Sequence, residues 1–437
     1  MVLHYPELAE RVRGQAALQP AVYGGVDFDA VPYRLTADAG VESSLPGWVA
    51  RREPILADER TVELISTATL LGDVVADPYA ALEPRYGTRT LVAMLRTACR
   101  EGVDAVPDAP VELRAFLESM EAAPDWLDAD LVEEGARRLR VGAAFVSPFI
   151  TRGAFLATFL NTYAALPMAL TGALTGTRAA HRINETANFF AVTTLPHALA
   201  RHGEGFEAAA MVRLMHSMVR FHALTRPGAW NRDVYGIPIP QVDQMPAGLI
   251  NMYVIARTAR MKKRGFTDGE RAMLEFCRYR CFLLGLPEEL LPTTVDEIIT
   301  VFHARAALLR AGFDQATCGA LVRSSMQAYL RRDRSARGRI AERVERAWST
   351  TFFVRLFCNG DRGAAAAMGV EYSVADRIIT LLTMPFVSGR FALVVRGSRF
   401  PALRPWLDRY TTRVVRMRLR TYGHPEFVSD GATYATR

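Results

Sequence analysis

Two arginines and a histidine fall in one row inside an apolar segment of this chain, and that row restricts how the chain can fold. Residues 211–222 read MVRLMHSMVRFH. Positions three and four apart are neighbours on an α-helix, so Arg213, His216 and Arg220 share one face. Val212, Leu214, Met215, Met218, Val219 and Phe221 surround them, which places the segment in a core. Guanidinium groups in a core need an anionic partner. Carboxylates from elsewhere in the chain would make a structural arginine pair around a satisfied core histidine. A haem would satisfy all three residues at once, with the imidazole on its iron and the arginines on its propionates. From these residues alone both readings stand.

The rest of the chain has enough length and apolar content to build such a core. It has 437 residues, of which 50% are hydrophobic and 23% charged, a balance that belongs to folded proteins and not to disordered ones. The net charge is +7 and the pI about 9.3. The arginines are nevertheless scattered among acids or interleaved with Val and Met at helical spacing, as at residues 413–420. No nucleic-acid-binding signature accompanies them, so a nucleic-acid partner is not expected. Cys99, Cys277, Cys281, Cys318 and Cys358 are odd in number and contain no CxxC pair. A disulfide framework is therefore not expected, and a reducing, cytoplasmic location fits. The stretch MVLHYPELAERVRG at the start has no apolar signal core.

Residues 1–58 are interrupted by Pro6, Pro20, Pro32, Pro46 and Pro54 and read as an irregular arm lying over the body, with a short helix near 7–12. From about Glu59 apolar residues recur at three- and four-residue spacing and strand-like alternation is scarce. The expectation is all-α: a single large helical domain over 59–421, followed by a polar tail over 422–437. Residues 153–176 carry no charge and are long enough to span a bilayer. Asn161, Thr158, Thr162, Pro167 and several glycines favour instead a helix buried on all sides, kinked or broken at Pro167. Gly172 and Gly176 would admit a close backbone or a flat ligand. RAAHRINETANFF follows at 178–190 and sets Arg182 and Thr186 four apart, with Glu185 between them. Beyond the arginine–histidine helix, residues 226–248 read as a proline-rich loop. Further helices are expected at 249–264, 268–284 (capped by Thr267 or Asp268), 295–311, 314–331, 340–357, 373–382 and 401–421.

Several of these motifs, in this order, resemble the family of latex clearing protein and mpaB-type oxygenases. They are Arg182 with Thr186, RLMHSMVR at 213–220, GIPIPQVDQ at 236–244, and Gly285-Leu286-Pro287 to Pro292. The resemblance implies a globin-like helical core with one non-covalent haem b and O2 as co-substrate. It implies that His216 is the proximal iron ligand, with Arg213 and Arg220 supporting the haem at its propionates. Arg182 and Thr186 match the distal arginine and threonine. The family's lysine just before that threonine is replaced by Glu185, which is expected to act as a base or hydrogen-bond acceptor. No carboxylate lies between Phe155 and His181, where a rubber oxygenase would place its substrate-deprotonating glutamate, so that task falls to Glu185 or the chemistry differs.

The reaction implied is oxidative cleavage of, or oxygen insertion into, a C=C bond of a hydrophobic, isoprenoid-like alkene, held in a dry pocket by residues such as Leu170, Phe189 and Phe190. Two alternatives stay open: haem-dependent hydroxylation or oxidation of a small natural product, and a non-enzymatic haem- or ligand-binding helical protein. Peripheral membrane contact is compatible with the sequence, and the oligomeric state is not written in it. A metal site built from His216 and other histidines lacks any recognisable spacing.

Overall fold

The computed structural model describes residues 3–49, 51–170 and 178–422. Among these residues all regular structure is helical, and strand-type pairing is limited to two isolated bridges, Leu35 with Leu309 and Ser43 with Arg310. Gly172, Gly176, the side chain of Leu170 and the tail beyond Tyr422 lie outside the described residues. The chain gathers into two compact units, residues 1–135 with 201–312, and residues 136–200 with 313–427.

The first unit is built around the helix Glu204–Thr225. Phe206, Ala209, Ala210, Met211, Leu214, Met218 and Leu224 are buried along it. Against it pack Pro20–Tyr23, Ala76–Ala80, Thr88–Glu101 and Asp268–Leu283. Glu204 and Glu207 occupy its first turn, where the helix dipole favours negative charge. Thr267 caps Asp268–Leu283 and Thr294 caps Val295–Leu308, each in a reciprocal capping box with the glutamate three residues on.

The N-terminal stretch belongs to this unit, and it is more ordered than its prolines suggest. Pro6 opens a helix that runs to Leu18, because proline at the first helical position loses no intrahelical bond. Farther on, Arg52 donates to the carbonyls of Thr36 and Ala307 at 2.8 Å each, tying the irregular stretch to the helix Val295–Leu308.

The proline-rich loop expected at 226–248 is shorter than that. A helix begins at Gln241 and continues through Pro246 to Met261. Pro246 has no N–H for the carbonyl of Val242 four residues back. Arg305 Nε donates to that carbonyl instead, at 3.1 Å, so the helix survives its proline.

In the second unit the charge-free stretch is not one helix. Ser147–Leu156 ends in a 3₁₀ turn, Ala157–Phe159, and a new helix runs Thr162–Leu170. The break falls at Asn161, whose side chain accepts from the N–H of Tyr163 at 2.9 Å, while Pro167 sits inside the second helix. Asn161 outcompetes the proline because an Asn side chain substitutes for the missing helical acceptor. Arg152 is buried beside the helix Ala336–Leu356, where it donates to Glu342 at 2.5 Å and to the carbonyls of Ser325 and Ala328 at 2.8 and 2.6 Å. The helix expected at 373–382 extends through Pro385 as Val374–Gly397 and packs along Ala336–Leu356. Arg178–Val192 packs on Arg404–Tyr422.

Candidate functional site

The anions demanded by Arg213 and Arg220 are aspartates of the chain itself. Arg213 donates through Nε and Nη2 to the two oxygens of Asp73, at 2.8 Å each. Arg220 Nε lies 2.9 Å from Asp77 Oδ1, its Nη1 donates to the carbonyl of Ile239 at 2.7 Å, and its Nη2 to Ser217 Oγ at 3.0 Å. The negative charge that the sequence calls for at both arginines is thus supplied from within the chain. Both guanidiniums are in paired geometry with buried carboxylates, the arrangement that makes such ions tolerable in a core.

Several neighbours serve these two pairs. Tyr23 donates its hydroxyl to Asp77. Burial, with the Asp77 charge added, pushes that phenol well above its ordinary range. Burial alone would raise the Asp73 carboxyl, but the charge and hydrogen bonds of Arg213 hold it below the usual carboxylate range. Burial opposes the charge on Arg220, and Asp77 more than reverses that, leaving the guanidinium more basic than usual. Gln15 clasps the turn before Asp73, donating to Leu70 O at 2.9 Å and accepting from Gly72 N at 2.7 Å. A Cβ at Gly72 would fall 1.9 Å from the Tyr23 hydroxyl, and one at Gly285 would fall 2.7 Å from Asp73 and 2.9 Å from Arg213. Gly285 also has φ +86°, so glycine is required there for both space and conformation.

His216 is half-buried in the same row. Its Nδ1 lies 2.9 Å from Gln244 Oε1; Gln244 Nε2 donates to Gln241 Oε1 at 2.6 Å; and Gln241 Nε2 donates to the carbonyl of Gly72 at 3.2 Å. A backbone carbonyl can only accept, so it fixes the direction of the whole relay. Gln241 must present its amide nitrogen to Gly72 and its oxygen to Gln244, and Gln244 must present its oxygen to the imidazole. Nδ1 of His216 therefore carries a hydrogen, and in the neutral ring the lone pair is on Nε2. This is the orientation in which a metal-ligating histidine is held by its outer partners. Ile239 supports it from the backbone: a branched residue at φ +47°, pinned through its carbonyl to Arg220, it turns the chain into Pro240 and the start of the glutamine helix.

Arg182, Glu185 and Thr186 lie in the second unit, on the helix Arg178–Val192. Glu185 is almost buried and meets His181 Nε2 at 3.1 Å and Arg182 Nη1 at 3.5 Å. Burial would raise its pKa, yet the hydrogen bond from His181 and the Arg182 charge bring it below the ordinary value. The side chain is thus held ionised, an acceptor and not a donor. Thr186 is half-buried one turn beyond Arg182. Phe189 is buried, its ring 5.3 Å from that of Phe190.

Among the described residues no three His, Cys, Asp or Glu side chains gather as an all-protein metal cage requires. A metal held at His216 would have to bring most of its own ligands, as a porphyrin does. His303 is engaged with the Tyr253 hydroxyl at 3.0 Å, and all five cysteines are buried and free of disulfides.

Sequence reasoning missed Asp73, Asp77, Tyr23 and the two glutamines. The aspartates stand about 140 residues before their arginines and no local pattern joins them. Gln241 and Gln244 were inside the quoted GIPIPQVDQ motif, three apart, but that stretch read as loop.

A family model described as "ER-bound oxygenase mpaB/B'/Rubber oxygenase, catalytic domain" matches residues 139–389. Among solved structures the chain is similar to latex clearing protein in its closed state, with a TM-score of 0.57 and 21% identity over 80% of this chain and 91% of that one. At that identity the likeness establishes the shared helical fold. No curated protein matches the sequence. The match takes in more than half of the chain, including the histidine row and the Arg182 helix, and on that ground the chain belongs to the mpaB and rubber oxygenase catalytic-domain family and is an oxidoreductase of the oxygenase class.

Proposed function

We propose that this oxygenase holds one haem b on His216 and uses O2 to oxidise a hydrophobic, isoprenoid-like alkene at its C=C bond, by cleavage or by oxygen insertion. The observation that carries the reading is the relay from Gly72 through Gln241 and Gln244, which assigns the lone pair of His216 to Nε2. Haem iron, when bound, supplies the oxygen-activating chemistry. His216 holds the group, and Gln244 keeps the ring in one tautomer and one orientation. Arg213 and Arg220 fix the helix that carries His216 through Asp73 and Asp77. Within its own unit Glu185, kept ionised by His181 and Arg182, is poised as a proton acceptor at its carboxylate. The alkene class rests on the rubber oxygenases of the family.

The test is optical and then chemical. Protein expressed with ample haem should show a Soret band that His216→Ala abolishes, and should take up oxygen with a polyisoprenoid substrate to give carbonyl products. A colourless wild-type protein would overturn the cofactor reading. Hydroxylated, uncleaved products would keep the cofactor and replace cleavage with hydroxylation. A nitrogen-capped, low-spin ferric spectrum that survives Glu185→Ala would remove the role given to Glu185.

A further inference from the structure

The helix Val374–Gly397 has 24 residues, about 36 Å at 1.5 Å per residue, and it presents an apolar face that nothing in its own unit covers. Val374, Ile378, Leu381, Leu382, Phe386 and Leu393 recur at spacings of three and four, and each is between 52% and 72% exposed. Among its residues those buried are Asp376, Val387 and Val394, on the opposite side. It is long and apolar enough to cross a bilayer, but its inner face is committed to the helix Ala336–Leu356. Trp348 Nε1 donates to Thr383 Oγ1 at 2.7 Å, the hydroxyls of Thr351 and Thr380 lie 3.0 Å apart, and Arg343 donates to Asp376 at 2.6 Å. A spanning helix would have to give up these contacts. A helix lying in the plane of the interface keeps them.

The charges around the stripe specify its partner. Arg377 stands exposed near one end and Arg396 and Arg399 at the other. Between Arg377 and Tyr422 the sequence contains one acid, Asp408, and that residue is paired with Arg140, as Asp376 is with Arg343. Phe400 and Trp406 are exposed just beyond, 62% and 58% respectively; tryptophan settles at the headgroup level and phenylalanine on the apolar side of an interfacial helix. From Ile378 to Gly389 the sequence carries no charge, and Ser388 is the one exposed hydrogen-bonding side chain there. A protein partner would be expected to find about one hydrogen bond per 100–200 Å² of such a face; hydrocarbon needs none. We infer that the stripe of Val374–Gly397 seats this protein on the surface of an anionic lipid bilayer, its apolar side chains among the acyl chains and Arg377, Arg396 and Arg399 at the phosphates.

The inference is independent of haem and is tested on the full chain by sedimentation with vesicles. The protein should bind vesicles of mixed phosphatidylcholine and phosphatidylserine, and bind phosphatidylcholine alone more weakly. Leu382→Glu with Phe386→Glu should weaken binding by more than about tenfold without altering circular dichroism or thermal unfolding, since both side chains are exposed. All five native cysteines are buried, so Phe386→Cys offers one accessible thiol for an environment-sensitive fluorophore, whose emission should shift to the blue on the mixed vesicles. Three results would each overturn the inference: no sedimentation with either vesicle, sedimentation undiminished by the double glutamate variant, or a blue shift without lipid that rises with protein concentration as the mass doubles, which would make the occupant a second copy of the chain.

Discussion

The helices Glu204–Thr225 and Val374–Gly397 are of nearly equal length and invert the usual rule. The first carries two arginines and a histidine and is buried; the second carries an apolar stripe and is exposed. What separates them is the supply of partners inside the fold. Asp73 and Asp77 neutralise and hydrogen-bond the arginines, so burying them does not leave a bare charge. The stripe finds no such complement in its own unit, and an apolar face of that extent marks a surface built to meet something else.

The sharpest way to break the comparison is to remove a partner from the charged helix. Asp77→Ala orphans the buried guanidinium of Arg220 and should cost about 3–5 kcal/mol in chemical denaturation; a cost under about 1 kcal/mol would mean water reaches the pair. Next comes the matched apolar truncation. Leu214→Ala should lose about 2–5 kcal/mol, whereas Leu382→Ala should stay within about 0.5 kcal/mol of the parent, and equal losses would show that the stripe is covered after all. Gln244→Leu leaves His216 without its Nδ1 acceptor and should lower haem affinity about 10–100-fold, read by Soret titration of the apoprotein, with far-UV circular dichroism unchanged.

A pH series sharpens the same contrast. The pKa of Asp73 is lowered in the fold, so its contribution to stability is complete above the unfolded value of about 3.9 and disappears as pH falls through the lower folded value. Acid denaturation should therefore lose this term, and Asp73→Asn should flatten that limb of the curve. A small effect is also expected at Glu185→Gln, within about 1 kcal/mol, because its partners His181 and Arg182 are partly exposed. A larger loss in thermal unfolding would give Glu185 a structural role in place of a chemical one.

Much of this was legible in advance because it is local or periodic. Apolar spacing of three and four announces helices wherever it occurs, and the Thr267 cap could be read from its own neighbours. The row of Arg213, His216 and Arg220 announced that it needed an anion. Both candidate answers were also legible, but the choice between carboxylate and propionate was not, since Asp73 and Asp77 lie outside residues 139–389 and far from the arginines in sequence. Prolines misled for one reason. Pro167, Pro246 and Pro385 each sit inside a helix and remove one helical hydrogen bond, and whether the helix survives depends on the surrounding fold, as the Arg305 bond to the Val242 carbonyl shows.

By itself, then, the sequence determined the all-helical class, the shared face of the arginine–histidine row, the demand for negative charge there, and the grouping of Arg182, Glu185 and Thr186 on one helix. Tertiary structure decided which groups meet that demand, which tautomer His216 adopts, and that the face of Val374–Gly397 is left open. Periodicity records what lies on one side of a helix, because it follows from the geometry of a single segment. What lies opposite that side depends on other segments, 28 residues away for Gln244 and 140 for Asp73, and only the folded chain brings them together.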